Sequence, residues 1–312
     1  MSTITWGIVS TIKAPVQEIL NFCAHHLDLG AQQIFIYLDD DNQAAIQSLS
    51  DHPRITATLC TDAYWQDHMG RRPKKHQARQ VANAAHAYDR TGELDWLAHI
   101  DVDEFLWPES QFAAQLAALP ETCLVGRIRP AEALANPSPA PVTHFKRLTI
   151  NRAERDRQSR RIYPTYGMHL NGGFLSHVQG KLIYRTGIPA LTAKIHNVFV
   201  DDDANPGQQE LTGTELLHLH AQSREAFLAA FQFRLKRGSY RSELKPATQD
   251  GVSMHTLFRS IYDTAGDAGL GAFYDEVCTA SPDLMQRLRN EGLLSSHTLD
   301  LDRKRQSHFP RT

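Results

Sequence analysis

The stretch Trp96-Leu97-Ala98-His99-Ile100-Asp101-Val102-Asp103-Glu104-Phe105-Leu106 decides the fold. Trp96 to Ile100 has the character of a buried strand, and it runs straight into three acids. In an open α/β sheet, ligands bind outside the carboxyl ends of the strands, so acids placed there face a crevice and not the core. Residues i and i+2 of an extended segment point the same way, which lets Asp101 and Asp103 together hold one hard divalent cation through oxygen. An isolated Asp-x-Asp more often only solvates a strand end, so its surroundings decide what it means.

Those surroundings alternate β and α. Ile4, Trp6, Ile8 and Val9 suggest a first strand. Pro15 then opens a helix with Val16, Ile19, Leu20, Cys23 and Leu27 on one face, closed by Gly30. Ile34 to Leu38 is a continuous apolar run ending in Asp39-Asp40-Asp41-Asn42, a second acidic rim suited to accepting hydrogen bonds from a ribose or base, or equally a plain acidic turn. A helix over 42–50, a strand over 55–59 and a helix from Lys75 to Tyr88 follow. The expected fold class is α/β, with a Rossmann-type, mostly parallel central sheet flanked by helices.

Beyond residue 120 the pattern loosens. Strands are expected at 123–128, 181–185 and 193–198. Asn151–Arg161, with five arginines in eleven residues, reads as a solvated loop or mobile segment, and Asn171-Gly172-Gly173 as a turn. Helices are expected from Ser223 to just before Gly238 and over 254–262, in an irregular C-terminal helical extension. The division expected is 1–240 as one domain, with halves of about 1–120 and 121–240, and 241–312 as the extension.

The chain has 312 residues with 33 Lys plus Arg against 35 Asp plus Glu, so it lacks the overall basic charge of a protein that lives on nucleic acid or anionic lipid. Local patches leave room for peripheral membrane contact. Mean hydropathy is −0.41 and no apolar run reaches the roughly 18 residues that span a bilayer, so a cytoplasmic globule is expected. The four cysteines are scattered without a CxxC pair, which argues against a zinc ribbon and for reduced, buried thiols.

The eleven-residue stretch resembles the aspartate motif of GT-A glycosyltransferases, in the family 2-like branch whose motif reads W-[LI]-x-x-[IL]-D-x-D-E-F. His25-His26-Leu27-Asp28-Leu29-Gly30 and the run from Tyr37 to Asn42 are similar to the start of that branch. The resemblance covers residues 1–110 well and reaches in patches to about 240. It implies a GT-A-like fold, a nucleotide-diphospho-sugar donor, a bound Mn²⁺ or Mg²⁺, and transfer of the sugar with inversion to the hydroxyl of a glycan or small-molecule acceptor. By motif match Asp101 lies near the donor ribose and the metal, and Asp103 is the main metal ligand. Asp39 or Asp40 touches the nucleoside, and Lys75 or Gln80 of the helix between them approaches the nucleotide.

Leu217-His218-Leu219-His220-Ala221-Gln222-Ser223, with Lys236-Arg237-Gly238 after it, resembles the H-Y-x-x-K-S…K-x-x-R-G block of the same branch, with Leu219 and Gln222 in place of the usual Tyr and Lys. His218 and His220 share one side of an extended segment, so either is a candidate to complete a metal site begun by Asp103. Lys181 and His196 match strands that the branch places near phosphate and acceptor. A carboxylate must deprotonate the acceptor; Glu104 and Asp202 are the candidates, with no spacing to separate them from Asp201, Asp203 or Glu210.

Two other enzyme classes fit less well. A nucleotidyltransferase wants a glycine-rich phosphate loop after the first strand, and Val9-Ser10-Thr11-Ile12-Lys13 has none. A metallohydrolase wants a denser array such as H-x-H-x-D, and no acid follows His218-Leu219-His220. An inactive sugar- or nucleotide-binding protein on the same fold is the alternative from outside enzymology, although such a binder has no use for a clamp on a metal diphosphate.

Overall fold

A computed structural model describes residues 4–138, 140–237, 240, 242 and 251–310. The expected boundary at 240/241 falls against residues 241 and 243–250, outside the described residues, as does Gly238. The chain forms two compact units. The first comprises Met1–Arg129, Gln179–Leu216 and Asp300–Thr312; the second comprises Pro130–Val178 and Leu217–Leu299.

The elements run in chain order as β1 (Trp6–Ile12), α1 (Val16–Asp28), β2 (Gln33–Leu38), α2 (Gln43–Leu49), β3 (Ile55–Leu59), α3 (Asp62–Met69), α4 (His76–Tyr88), β4 (Trp96–His99), β5 (Glu104–Pro108), α5 (Phe112–Ala117) and β6 (Val125–Ala133). Then come β7 (Thr143–Lys146), α6 (Arg152–Ile162), β8 (Lys181–Arg185), β9 (Leu191–Ala193), β10 (Val198–Val200), β11 (Asp203–Ala204) and β12 (Gln209–His218). The chain continues through α7 (Arg224–Arg237), α8 (Met254–Val277), α9 (Pro282–Asn290), β13 (Leu294–His297) and α10 (Leu301–His308).

In the first unit the strand order is β6-β8-β4-β1-β2-β3. β1 runs parallel to β2 and β4, and β2 runs parallel to β3; β8 is antiparallel to both β4 and β6. This is the α/β class expected. Every residue of β1 is buried, as a strand covered on both faces must be. One side of the sheet packs Ile8, Ala98 and Ile100 with Ile19, Leu20 and Cys23 of α1. The other packs Val9, Leu97 and Leu182 with Ala84 and Ala87 of α4.

The second unit pairs β7 antiparallel with β13 and with the Glu132–Ala133 end of β6. Its core joins Leu134, Tyr163, Phe227, Phe258, Phe273 and Leu284. All four cysteines are buried and free. Among the described residues no helix is long and apolar enough to cross a membrane.

Four local expectations are corrected. The arginine-rich segment is helix α6, not a loop: Asn151 caps it by accepting from the Glu154 N–H, and Gln158, Ser159 and Ile162 are buried. The strand expected over 193–198 is a hairpin, β9 and β10, turned where Lys194 N–H donates to Asn197 O. The helix expected over 254–262 continues to Val277 across a break at Gly266, whose φ of 55° suits glycine. Within the expected helical extension, Leu294–His297 is a strand.

Candidate active site

The acids at the end of β4 form a closed turn in the first unit. Glu104 N–H donates to Asp101 O at 3.1 Å, and Asp101 N–H donates to the Glu104 carboxylate at 2.9 Å. The turn is tied to two distant elements. Lys181 of β8 places its ammonium 2.5 Å from Asp101 Oδ2 and 3.3 Å from Glu104 Oε2, and Gln80 of α4 donates to Asp101 Oδ1 at 2.8 Å. The sheet order explains this meeting across 80 residues: β8 lies directly beside β4, with Leu182 opposite His99.

The electrostatics are those of one buried ammonium shared by two carboxylates. Burial alone would raise the Asp101 carboxyl, but Lys181 beside it holds it below its usual range. Burial alone would lower the Lys181 ammonium, and Asp101 and Glu104 instead push it up. Asp101 keeps 37% of its side chain exposed, whereas the Glu104 side chain is 6% exposed and already serves the turn and Lys181. Asp103 is half-buried, and its charge adds to burial in raising the Glu18 carboxyl of α1.

Asp39 ends β2 in a different arrangement. Arg72 donates to its Oδ1 and to its carbonyl, both at 2.8 Å; Arg79 holds its Oδ2 at 2.8–2.9 Å, and His76 Nδ1 lies 3.4 Å from the same oxygen. Arg79 also donates to the carbonyls of Pro73 and Lys74. Both Asp39 oxygens are therefore engaged in anchoring the loop from Gly70 to Lys75. Asp40 follows half-buried, and Lys75 stands exposed at the cap of α4 with no side-chain cap of its own. Neither Arg72 nor Arg79 stood out in the sequence. The signal was present as six basic side chains within residues 71–79, a run that repels itself unless an acid is buried beneath it.

Asp202 sits at the exposed turn between β10 and β11, beside Asp201 at φ 51°. His196 Nδ1–H donates to Gly180 O at 3.0 Å, and burial, with Lys181 close by, lowers its pKa. Asp103 belongs to the first unit, and His218 and His220 belong to the second, where their ring centroids lie 5.0 Å apart. There they adjoin Glu132, whose buried carboxylate accepts from the Leu175 and Ser176 N–H groups and pairs with Lys146 at 3.1 Å. Burial would raise Glu132; Lys146, then His220 and His218, bring it down to about 2.

The structure thus brings Asp101, Glu104, Gln80 and Lys181 into one constellation and gives Asp39 a partner set of its own. The donors fit a hard cation in kind. Each Asp101 oxygen already accepts one hydrogen bond and retains a second lone pair, and Asp103 adds a second carboxylate on the same turn.

No protein-family model and no curated protein matches the chain. Among solved structures it is similar to S. aureus TarS (residues 1–349), at 13% identity and a TM-score of 0.38, covering 98% of this chain and 90% of that one. It is also similar to 4-diphosphocytidyl-2C-methyl-D-erythritol synthase from Anaerococcus prevotii, at 8% identity and TM-score 0.31, covering 59% and 72%. HddC from Yersinia pseudotuberculosis aligns at 10% identity and TM-score 0.32, covering 69% and 90%. At such low scores the functional reading rests on this chain's own residues.

Proposed function

We propose that the chain is a metal-dependent glycosyltransferase that moves a sugar from a nucleotide-diphospho-sugar to an acceptor hydroxyl, with inversion. The observation that carries this reading is the Asp101–Glu104 turn at the carboxyl end of a parallel strand, tied by Lys181 and Gln80, together with the resemblance of that stretch to the GT-A aspartate motif.

In this reading Asp101 and Asp103 hold Mn²⁺ or Mg²⁺, which when bound supplies positive charge for the departing diphosphate. Lys181 keeps Asp101 ionised and oriented and adds a fixed positive charge beside it. Gln80 fixes the other Asp101 oxygen. The stapled loop presents Arg71, Lys74 and Lys75 to solvent, where a phosphate-bearing ligand meets them. Of the two carboxylates offered for the base, Asp202 is the exposed one and is carried forward in that role.

Hydrolysis of UDP- and GDP-sugars with Mn²⁺ tests the reading. The wild-type chain is expected to turn over one donor, and Asp103→Ala to lose at least about a hundredfold of that rate. Equal rates in the two proteins sink the mechanism. His218→Ala and His220→Ala test separately whether those histidines contribute metal affinity, as the sequence resemblance implies.

A further inference from the structure

His99 is the last residue of β4, in register with Val9 of β1 and Leu182 of β8. With its neighbours Leu97, Val9 and Leu182 it faces α4, where the apolar layer gives way to the buried amides of Gln80 and Asn83. The residue is 3% exposed, and neither ring nitrogen has a hydrogen-bond partner among the described residues. Asn83 of the same helix donates its amide to Thr11 Oγ1 at 2.9 Å. His99 stands two residues before Asp101 and opposite Leu182, the neighbour of Lys181 on β8, which places it beneath the constellation described above.

A buried imidazole with both nitrogens unserved destabilises a fold, and a leucine or phenylalanine at this core position would not. Its retention beneath acids, an ammonium and an amide has a chemical logic. A neutral imidazole carries one N–H donor and one bare acceptor nitrogen, and a hydroxyl is the group that can meet either. We propose that His99 forms the floor of the donor site and hydrogen-bonds a hydroxyl of the sugar nucleotide, from the ribose or from the transferred sugar. Both nitrogens are closed off from solvent, so this contact forms only when ligand binding opens a path to the ring. The inference rests on the donor reading given under Proposed function and adds a binding residue to it.

The test compares wild type, His99→Phe and His99→Gln by thermal melting and by calorimetric titration with UDP, 2′-deoxy-UDP, UDP-glucose, GDP and GDP-mannose, each with Mn²⁺. His99→Phe is expected to melt at or above the wild-type temperature while binding the preferred nucleotide about tenfold or more weakly, with His99→Gln in between. If the hydroxyl belongs to the ribose, UDP itself weakens and the variant no longer distinguishes it from the deoxy form. If it belongs to the sugar, only the sugar nucleotides weaken. Unchanged affinity for every nucleotide in a folded His99→Phe overturns the proposal and leaves the ring serving only an internal water. Should His99→Phe not fold, the affinities of His99→Gln decide in the same way. A wild-type chain that binds none of these nucleotides removes the donor reading, and this inference with it, whereas loss of turnover in Asp103→Ala alongside unchanged His99→Phe binding removes only the latter.

Discussion

His25 and His26 are buried as deeply as His99, yet every one of their ring nitrogens is hydrogen-bonded and, among the described residues, neither of His99's is. His25 Nε2–H donates to Leu106 O at 2.8 Å, and its Nδ1 accepts from Lys304 of α10 at 3.1 Å. His26 Nδ1–H donates to Phe22 O at 2.8 Å, and its Nε2 accepts from Leu106 N–H at 3.2 Å. The pair welds α1 to β5, and α10 is drawn onto α1 by Lys304 and by Arg305, which donates to Asn21. Both regions belong to the first unit. One satisfies the ring nitrogens of its buried histidines; the other leaves those of His99 unmet among the described residues, two positions before Asp101.

Substitutions that change stability sharpen this contrast. The largest loss is expected for Lys181→Met, which strips a buried ammonium from the carboxylates of Asp101 and Glu104: about 3–5 kcal/mol, read from urea denaturation, by analogy with breaking one side of a buried ion pair. An unchanged urea midpoint would mean that the pair adds nothing to the fold.

Acid comes next. Burial brings the His26 pKa down to about 3 and lowers that of His25 as well, so both are neutral in the folded chain. Below the ordinary histidine value of about 6.5 the unfolded chain binds the proton that the folded one refuses. Stability is therefore full above that pH and falls as pH drops from 6.5 toward 3, by about 2 kcal/mol for His26 at pH 5. The Glu132–Lys146 pair of the second unit has the opposite kind of depressed group, an acid near 2 against 4.5, and its contribution is lost only below pH 4.5. Urea midpoints at pH 8, 6 and 5 check the window, and a flat profile breaks the account of the histidine pair.

Lys304→Met leaves the His25 acceptor nitrogen without its donor and is expected to lower stability by about 1–3 kcal/mol with little change in nucleotide affinity. Affinity falling in step with stability would erase the division between the two regions. The smallest stability effect, zero or slightly favourable, is expected for His99→Phe, the one substitution among these that removes an unmet polar group without exposing another.

Much of the site was legible because it is local in sequence. The carboxylates of Asp101, Asp103 and Glu104 sit within four residues, and their place at a strand end follows from the apolar run before them. Lys181 and Gln80 were singled out by the family resemblance, but their shared contact with Asp101 was not legible, because it depends on β8 entering the sheet antiparallel beside β4. The anchoring of Asp39 by Arg72 and Arg79 was likewise not legible, because those partners lie 33 and 40 residues further along the chain. Helix α6 escaped for another reason: an arginine-rich segment has almost no apolar period, and its helical state rests on the Asn151 cap, on the Glu154–Arg157 pair and on burial of one short face.

By itself the sequence determined the βα alternation, the strand that ends in acids and the composition of the rim, since each depends on neighbours within a few residues and on the alternation of buried and exposed positions along the chain. Which charges meet, which imidazole is served and which is left wanting, and which acid anchors a loop were decided only when strands and helices distant in the chain packed together. Hydrogen bonds act over about 3 Å, and no pattern in a linear chain specifies which remote group will come that close.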